Sequence, residues 1–396
     1  DEKRYPQPTA WGNLPGFALF LRHVRGITLD GVMMGVEEPD VRSPVWVDDV
    51  EQLSIKQTRL SGPIGKGPFV KGVGLTDYEI EPPLGWKGKA DELIQILDPS
   101  QPGEMTLIVA ADGSGQFTTV QAAVDFISAD NKHRITIFIR NGDYPDQVRV
   151  NRSHLTLRGE DRKKTRLCAE VDSPKMHQDP ERSWATVEID GVSDVHIENL
   201  TITNPFPLGG YAVVLSSINN ATRLSVIDCD LISEGGDTVS PWSQGLYYFR
   251  NCWISGTYHF FGPRGTCYAT DCQFWCLGSD VSLFNEGIYD ETDKLVIRNS
   301  TFDGPKPFGL GSYFRDAAWY FIDCKFSDKL KADGRIFRNA VDNYTPKWGE
   351  NRVYFADCKS PDYPWLKDNI TASQAKTKEA VTVEWTLRGW LPEAGN

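Results

Sequence analysis

Three residues of this chain have the types that serine hydrolases use, namely Asp237, His259 and Ser312. In such a set the carboxylate holds the imidazole in one tautomer, the imidazole removes the seryl proton, and the alkoxide attacks an ester carbonyl. Histidine suits the middle position because it titrates near neutrality without perturbation. Ser312 follows Gly311, which permits a sharp turn and close backbone approach. The chemistry therefore depends on whether the fold brings these residues together.

The composition indicates a globular protein and excludes two classes. The 396 residues are 40% hydrophobic and 24% charged, with a net charge of −12. No run of Lys or Arg suggests nucleic-acid binding, and no apolar stretch is long enough to cross a membrane. The chain begins DEKRYPQPTAWG, which does not have the pattern of a signal peptide, so export is not visible in this stretch.

A repeated local pattern predicts the fold. Five segments place a cysteine after an acidic or amide residue: IDCDL (227–231), RNCWI (250–254), TDCQF (270–274), IDCKF (322–326) and ADCKS (356–360). Cys229, Cys252 and Cys272 are 23 and 20 residues apart, and Ser300 of the related segment IRNSTF (297–302) divides the step to Cys324 into 28 and 24 residues. Turn residues separate β-runs of alternating hydrophobicity. A period of 20 to 28 residues indicates stacked units. We predict an all-β, right-handed parallel β-helix in which the cysteines form a buried inward-facing ladder, not a redox or metal site.

A single amphipathic helix is predicted at 117–128. Val120, Ala123, Val124 and Ile127 fall on one helical face in this segment. We expect this helix to cap the N-terminal end of the β-helix.

The first part of the chain carries another β-helical signature. GFALFLRHVRGITLDGVMM (16–34) and SPVWVDDVEQLSIKQTRL (43–60) resemble the last coils of polygalacturonase-type glycosidases. That family's catalytic aspartates and histidine have no match here, so we expect no glycosidase activity. We therefore divide the chain into glycosidase-like coils (1–60), a Gly/Pro-rich linker (61–104) and a β-helix (105–396).

Residues 106 to 393 resemble a pectin methylesterase. The motifs that carry the resemblance are IVAADGSGQFTTVQAAVDFI (108–127), ITIFIRNGDYPDQVRV (135–150), EGGDTVS (234–240), ISGTYHFFGP (254–263), GLGSYFRDAAWYFIDC (309–324) and TLRGWLP (386–392). The resemblance implies a pectin-type plant glycan as substrate, ester hydrolysis as the reaction, and a secreted or periplasmic location. It also leaves room for a glycosidase domain upstream in the same polypeptide.

The active-site motifs depart from the family at most positions. The acid/base aspartate is retained as Asp237, whereas His259 stands at the position of the nucleophilic aspartate and Ser312 at that of the arginine. Tyr211 and Gly236 stand at the positions of the family's oxyanion glutamines. Because the resemblance implies that these positions meet on one face, we expect a replacement Ser-His-Asp arrangement. Backbone N–H groups near Gly236, Gly311 or Ser312, or the Tyr211 hydroxyl, would then stabilise the oxyanion.

A second interpretation is a decayed esterase. In it His259 and Asp237 form a structural hydrogen-bonded pair, and the protein is a non-catalytic module that binds pectic carbohydrate. A net charge of −12 disfavours long unesterified polyuronates in either case, so neutral, esterified or short decorated fragments fit better.

Several side chains near these motifs could contact sugar. The candidates are Tyr211, Trp242, Tyr258, Phe260, Tyr313 and Phe314 for stacking, and Arg264 and Arg315 for a uronate carboxylate. Alternation favours a core position for Phe260, and the alternative for both arginines is a solvated surface charge. We expect no cofactor and no metal. The acidic run DETD (290–293) is a weak calcium candidate that reads better as a solvated turn.

Overall fold

The computed structural model describes residues 16–40, 42–97, 105–172, 183–206, 211–278, 281–285, 290–334, 336–338, 345, 347–348 and 351–394. The chain divides into a smaller unit (1–123 and 133–137) and a larger unit (124–132 and 138–396). Strands dominate both. The described residues include two short α-helices, α1 (Val120–Phe126) and α2 (Val383–Thr386), with 3₁₀ turns at Ala90–Glu92 and Ile370–Ala372. No helix among the described residues is long and apolar enough to span a membrane.

The first eight strands begin with two long parallel coils. They are β1 (Gly16–Asp30), β2 (Met33–Gly35), β3 (Ser43–Lys56), β4 (Arg59–Ser61), β5 (Val70–Ile80), β6 (Ile94–Leu97), β7 (Met105–Val109) and β8 (Ile135–Ile139). One sheet has the order β1-β3-β5-β6, and β2 pairs with β4. Val45, Val47, Leu53 and Ile55 of β3 form the centre of the core of the smaller unit.

The predicted linker over 61–104 is corrected by the structure. Strands β5 and β6 lie inside it and extend the parallel sheet, whereas residues 98–104 lie outside the described part. The glycines of this segment suggested a connector, but Gly72 serves close packing. A Cβ at Gly72 would lie 1.8 Å from the carbonyl oxygen of Val47, its partner on β3. Without that Cβ, Val70 stacks on Val45 in register, and the coil repeats.

The larger unit contains the remaining strands. They are β9 (Gly142–Tyr144), β10 (Val148–Val150), β11 (Leu155–Gly159), β12 (Thr165–Leu167), β13 (Val187–Asp190), β14 (Ser193–Glu198), β15 (Thr201–Asn204), β16 (Leu215–Ile218), β17 (Thr222–Ile227), β18 (Asp230–Ser233), β19 (Val239–Pro241), β20 (Leu246–Arg250), β21 (Trp253–Gly256), β22 (Thr266–Thr270), β23 (Gln273–Cys276), β24 (Val281–Asn285), β25 (Leu295–Arg298), β26 (Thr301–Asp303), β27 (Gly309–Tyr313), β28 (Trp319–Ile322), β29 (Lys325–Phe326), β30 (Phe337–Arg338) and β31 (Val353–Ala356).

These strands form three parallel sheets. Sheet I has the order β31-β28-β25-β22-β20-β17-β14-β11, and sheet II the order β29-β26-β23-β21-β18-β15-β12-β9. Sheet III consists of β10-β13-β16-β19, and single bridges through Phe261 connect it to β24-β27-β30. Each coil of chain contributes a strand to each sheet in turn, so the predicted parallel β-helix is confirmed.

The repeated cysteine pattern forms two stacked rows. Cys229, Cys252, Cys272 and Cys324 are buried, and burial raises the pKa of thiols such as Cys272. The residues before these four cysteines, before Ser300 and before Cys358 share a left-handed backbone with φ near 50°: Asp228, Asn251, Asp271, Asn299, Asp323 and Asp357. Asp and Asn tolerate this conformation well, so the same turn between sheets I and II repeats in these coils. We call this second row the turn ladder.

The predicted helix forms, and a second short helix lies near the end of the described residues. Helix α1 buries Val120, Ala123 and Val124, as the sequence periodicity predicted. Helix α2 begins after Thr382, whose side-chain oxygen accepts a hydrogen bond from the Trp385 N–H at 3.1 Å.

Candidate active site

Asp237 and His259 occupy equivalent positions on successive coils. The bridge between Val239 and Phe261 sets the register, and the Asp237 N–H donates to the Tyr258 carbonyl at 2.9 Å. The 22-residue spacing between them therefore corresponds to one coil and falls within the predicted period of 20 to 28 residues. Both residues have left-handed backbones, with φ of 56° at Asp237 and 46° at His259. Histidine is among the few non-glycine residues enriched in this region of backbone space.

Ser312 lies within reach of His259. Strand β27 pairs with β24 so that Ser312 is opposite Phe284, two coils beyond the histidine. The Nε2 atom of His259 and the Oγ atom of Ser312 are 3.1 Å apart, a hydrogen-bonding distance. Ser312 is completely buried, and His259 is 8% exposed. The histidine and the serine of the predicted set thus meet beneath the protein surface.

Two aromatic rings hold the imidazole of His259. The ring of Tyr258 stacks on one side with 3.7 Å between centroids, and that of Phe284 on the other with 4.3 Å. Tyr258 is 38% exposed and covers the imidazole from the solvent side. Stacking therefore restricts the ring plane, a task that the carboxylate performs in a Ser-His-Asp triad.

The carboxylate of Asp237 makes no hydrogen bond or ion pair with His259. Neither residue has such a contact with the other in the described structure, although their backbones are adjacent. Burial raises the pKa of Asp237 to about 6, and the nearby Arg264 partly offsets this rise. The structure thus brings together two members of the predicted set and places the third beside them, unbonded.

The electrostatics keep the imidazole neutral. Burial lowers the pKa of His259 to about 4, and the positive charge of Arg264 acts in the same direction. At neutral pH His259 is therefore uncharged and can accept a proton, while Asp237 is mainly ionised.

Arg264 is buried, so the alternative of a solvated surface charge is wrong for this residue. Its guanidinium lies 3.7 Å from the ring centroid of Trp242 and donates to the Ser240 hydroxyl at 2.9 Å and to the Gly262 carbonyl at 3.3 Å. A cation–π contact of the buried guanidinium with this ring helps to hold the charge in place. Trp242 remains 40% exposed on its outer side and packs edge-on against Trp184.

Sequence reasoning missed Glu188. It shares a row of sheet III with Ser216 and Ser240, one residue on each successive coil. Glu188 is 1% exposed, its Oε2 atom has no hydrogen-bond partner, and burial raises its pKa to about 7. In the segment VEID the glutamate alternates with the inward-facing Val187 and Ile189, a pattern typical of an outward-facing polar residue. Glu188 is unusual only because the face of the sheet on which it lies is buried at this position.

The remaining predicted contacts divide by exposure. Tyr211 is 49% exposed, and a bridge joins it to Gly236, whose missing side chain leaves space between Tyr211 and Tyr258. Phe260 is a core residue, as alternation predicted. Tyr313 is buried near Trp319, so it is not available for stacking on a sugar.

The last three predicted positions lie at or near the end of β27. Phe314 is half-buried with its ring edge-on to Phe284, and Arg315 is half-buried as well. Gly311 faces the core, because a Cβ there would lie 2.7 Å from the ring of Trp319. This packing explains the glycine without an oxyanion role.

The acidic run at 290–293 is a structured turn. Asp290 accepts hydrogen bonds from the backbone and the hydroxyl of Thr292, and Asp293 accepts one from the Thr266 hydroxyl at 3.0 Å. Arg388 forms an ion pair with Asp293. In the described parts of the chain, no group of three or more His, Cys, Asp or Glu side chains has a metal-binding arrangement.

The model of the pectinesterase family matches residues 106–279. This part of the chain is therefore similar to the pectinesterase family. The matched region contains Asp237, His259 and Arg264, whereas Ser312 lies beyond it. Within the matched region Arg264 supplies the buried guanidinium beside the site.

Curated pectinesterases of Arabidopsis thaliana are similar over about half of the chain. Probable pectinesterase 49 is 28% identical over 47% of this chain and 52% of its own length. Probable pectinesterase 56 is 32% identical over 46% of this chain and 62% of its own length. The chain therefore spans between half and two thirds of each of these pectinesterases.

Solved pectinesterase structures share the fold. A pectin methylesterase in complex with hexasaccharide VII superposes with a TM-score of 0.57 at 19% identity, over 74% of this chain and 99% of that protein. This likeness agrees with the three-sheet architecture of the larger unit.

Proposed function

We propose that this protein is a carbohydrate esterase that hydrolyses a methyl or acyl ester of a pectin-type plant glycan, with Ser312 as nucleophile and His259 as its base. The observation that carries this proposal is the 3.1 Å contact between His259 Nε2 and Ser312 Oγ. The match of residues 106–279 to the pectinesterase family model supports the reaction class and the glycan. An acidic nucleophile is not available at position 259, so the reaction needs another attacking group.

The proposed reaction proceeds through an acyl-enzyme. His259 Nε2 takes the proton of the Ser312 hydroxyl while the oxygen attacks the ester carbonyl. When the tetrahedral intermediate collapses, the imidazolium returns that proton to the leaving alcohol. Water then attacks the acyl-serine with His259 again as the base, which releases the carboxylic acid and restores Ser312.

Asp237 acts through its charge in this scheme. Its carboxylate lies one coil from His259 without a hydrogen bond to it, so it supplies negative charge near the imidazolium that forms. The stacked rings of Tyr258 and Phe284 orient the imidazole instead. We propose that the exposed Tyr258 ring moves aside when the ester enters, because Ser312 is otherwise closed to solvent.

The burial of Ser312 favours a second candidate function, a non-catalytic module that binds pectic carbohydrate. A hydroxyl with no exposed surface cannot meet a substrate unless the covering residues move. In this alternative the Ser312–His259 contact satisfies two buried polar groups and does no chemistry. The exposed aromatic faces of Tyr211 and Trp242 would still contact sugar.

A fluorophosphonate probe with release of methanol from methyl-esterified pectin tests the proposal. We expect the probe to label Ser312 and the Ser312→Ala variant to lose at least about 1000-fold in kcat/KM. Ser216→Ala is the matched control, because that hydroxyl is buried in sheet III and only donates to the Ser240 carbonyl at 3.2 Å. Unlabelled protein without esterase activity, or undiminished activity of Ser312→Ala, would favour the binding module.

We also propose a secreted or periplasmic location, since a plant glycan is met outside the cell. Fractionation of cells that express the complete gene, followed by immunodetection, tests it. Recovery of all the protein in the cytosolic fraction would refute it.

A further inference from the structure

A groove of about 230 Å³ lies on sheet II, a different sheet from the one that carries Ser312. Strands β21, β23, β26 and β29 form its floor. Phe274 and Phe302 point into the core beneath it, so the alternate residues of the same strands face outward. This outward surface is not part of the proposed ester-hydrolysing site.

Two tryptophans form one end of the groove. Trp253 and Trp275 stack with 5.5 Å between their centroids and 29° between their planes, and both are half-buried. Large rings left partly in water on a regular sheet expose flat apolar faces. Such faces suit the C–H side of a pyranose ring, as the amphipathic character of tryptophan favours contacts that are apolar in the middle and polar at the rim.

The row that contains Trp253 becomes cationic at its other end. Successive coils place Gln273, Thr301, Lys325 and Lys359 in register after the tryptophan. Neighbouring positions in this row are separated by about 4.8 Å, so the two ammonium groups can act on one ligand. Within the described part of the chain neither lysine forms an ion pair.

The charge pattern at this groove opposes that of the whole molecule. The chain carries a net charge of −12. Elsewhere cationic side chains such as Arg162 are neutralised by an ion pair with a carboxylate. Asp303 lines the groove near Trp275, where it accepts a hydrogen bond from the Gly304 N–H at 2.8 Å. An anionic ligand group would therefore lie along the row of Lys325 and Lys359, which is two residues along the strand from the row of Asp303.

We infer that this groove binds an acidic oligosaccharide, with a sugar ring on Trp253 and Trp275 and a uronate carboxylate at Lys325 and Lys359. The side chains of Gln273 and Thr301 lie between them and can bond to sugar hydroxyls. Ester hydrolysis creates such carboxylates, so the groove would retain the chain that the proposed site has acted on. The inference rests on the proposed function only for the choice of a pectic glycan as ligand.

Isothermal titration calorimetry with a short unesterified oligogalacturonate tests the inference. The Ser312→Ala background is used so that binding is read without hydrolysis. We expect Lys325→Glu to weaken binding about tenfold and Trp253→Ala with Trp275→Ala to weaken it by a similar factor. Lys132→Glu is the matched control, because it changes the net charge equally at an exposed lysine elsewhere.

Three results would overturn the inference. One is unchanged affinity in both groove variants, and another is an equal loss with Lys132→Glu, which would show that net charge alone matters. The third is an equal effect of Lys325→Glu on the fully methyl-esterified oligosaccharide, which has no carboxylate to bind. Circular dichroism checks that the variants fold. Since no readout depends on hydrolysis, an inactive wild-type enzyme would refute the proposed function and leave this test intact.

Discussion

The turn ladder and the candidate active site share a left-handed backbone conformation, but their side chains have opposite roles. Asp228 and Asn251 are stacked neighbours with left-handed backbones, and so are Asp237 and His259. In the ladder the Asn251 side chain donates to Asp228 at 2.7 Å, whereas the site pair makes no such bond. The ladder satisfies its polar groups, is solvated and repeats. The site buries its polar groups, shifts their pKa values and does not repeat.

This difference shows that different residue rows of a β-helix serve stability and chemistry. A repeated residue type in each coil gives identical contacts and a small, additive gain per coil. A changed residue type in each coil builds a mixed surface in which Glu188, Asp237 and His259 have perturbed pKa values. Clusters of perturbed groups are typical of functional sites, because ordinary folding favours their removal.

The largest stability effect is expected at Glu188. Its folded pKa of about 7 lies above the ordinary value of 4.5, so the folded state holds the proton more tightly. The stabilising proton is fully bound below pH 4.5 and is lost as the pH rises through 7. Glu188→Gln should therefore raise the free energy of unfolding by about 3 kcal/mol at pH 8 and leave it nearly unchanged at pH 4.

Urea denaturation at the two pH values measures this change. Glu379→Gln is the control, because that side chain is exposed. An equal gain at both pH values would contradict the assignment of the effect to a buried ionisation.

The next effect concerns the acid limb of esterase activity. If the ionised Asp237 stabilises the imidazolium, kcat/KM should rise with an apparent pKa near 6. In Asp237→Asn the limb should move towards 4, the pKa of His259, and the plateau should fall about tenfold. A pH profile of kcat/KM measures both quantities. Identical limbs in the wild type and the variant would show that Asp237 has no electrostatic role.

The smallest effect is expected in the turn ladder. Asn251→Ala removes the bond to Asp228 and places a Cβ without side-chain compensation at φ of 52°, so we expect a loss of about 1 to 2 kcal/mol in stability. Asn251→Gly keeps the backbone freedom and should lose less. Both variants should retain the wild-type kcat/KM, measured with thermal or urea unfolding in parallel. A tenfold loss of activity would show that the ladder also positions the site.

The repeat could be predicted from the sequence because its physical cause is local. Asp or Asn before each cysteine, and alternation on either side, are enough to specify a left-handed turn between two strands. The same reasoning correctly placed Phe260 in the core and Val120 on the buried face of α1. It failed for 61–104, because the glycines there permit close packing of Gly72 on Val47 and do not form a connector.

The candidate site could be predicted from the sequence only in part. The stacking of Asp237 on His259 follows from a 22-residue spacing, which is the length of one coil. The roles of Arg264 and Glu188 did not follow, because burial of a charged residue depends on what covers it. Trp242 covers Arg264, and the positive charge of Arg264 then affects the pKa of both Asp237 and His259.

The sequence alone determined the coil length, the turn chemistry and the identity of the groups that could react, since these depend on residues close in the chain. The tertiary structure decided that Ser312 contacts His259 across two coils and that Asp237 does not bond to it. It also placed Tyr258 and Phe284 on either side of the imidazole. Hydrogen bonds require atomic distances near 3 Å, and register along stacked strands sets those distances only to within a side-chain rotation.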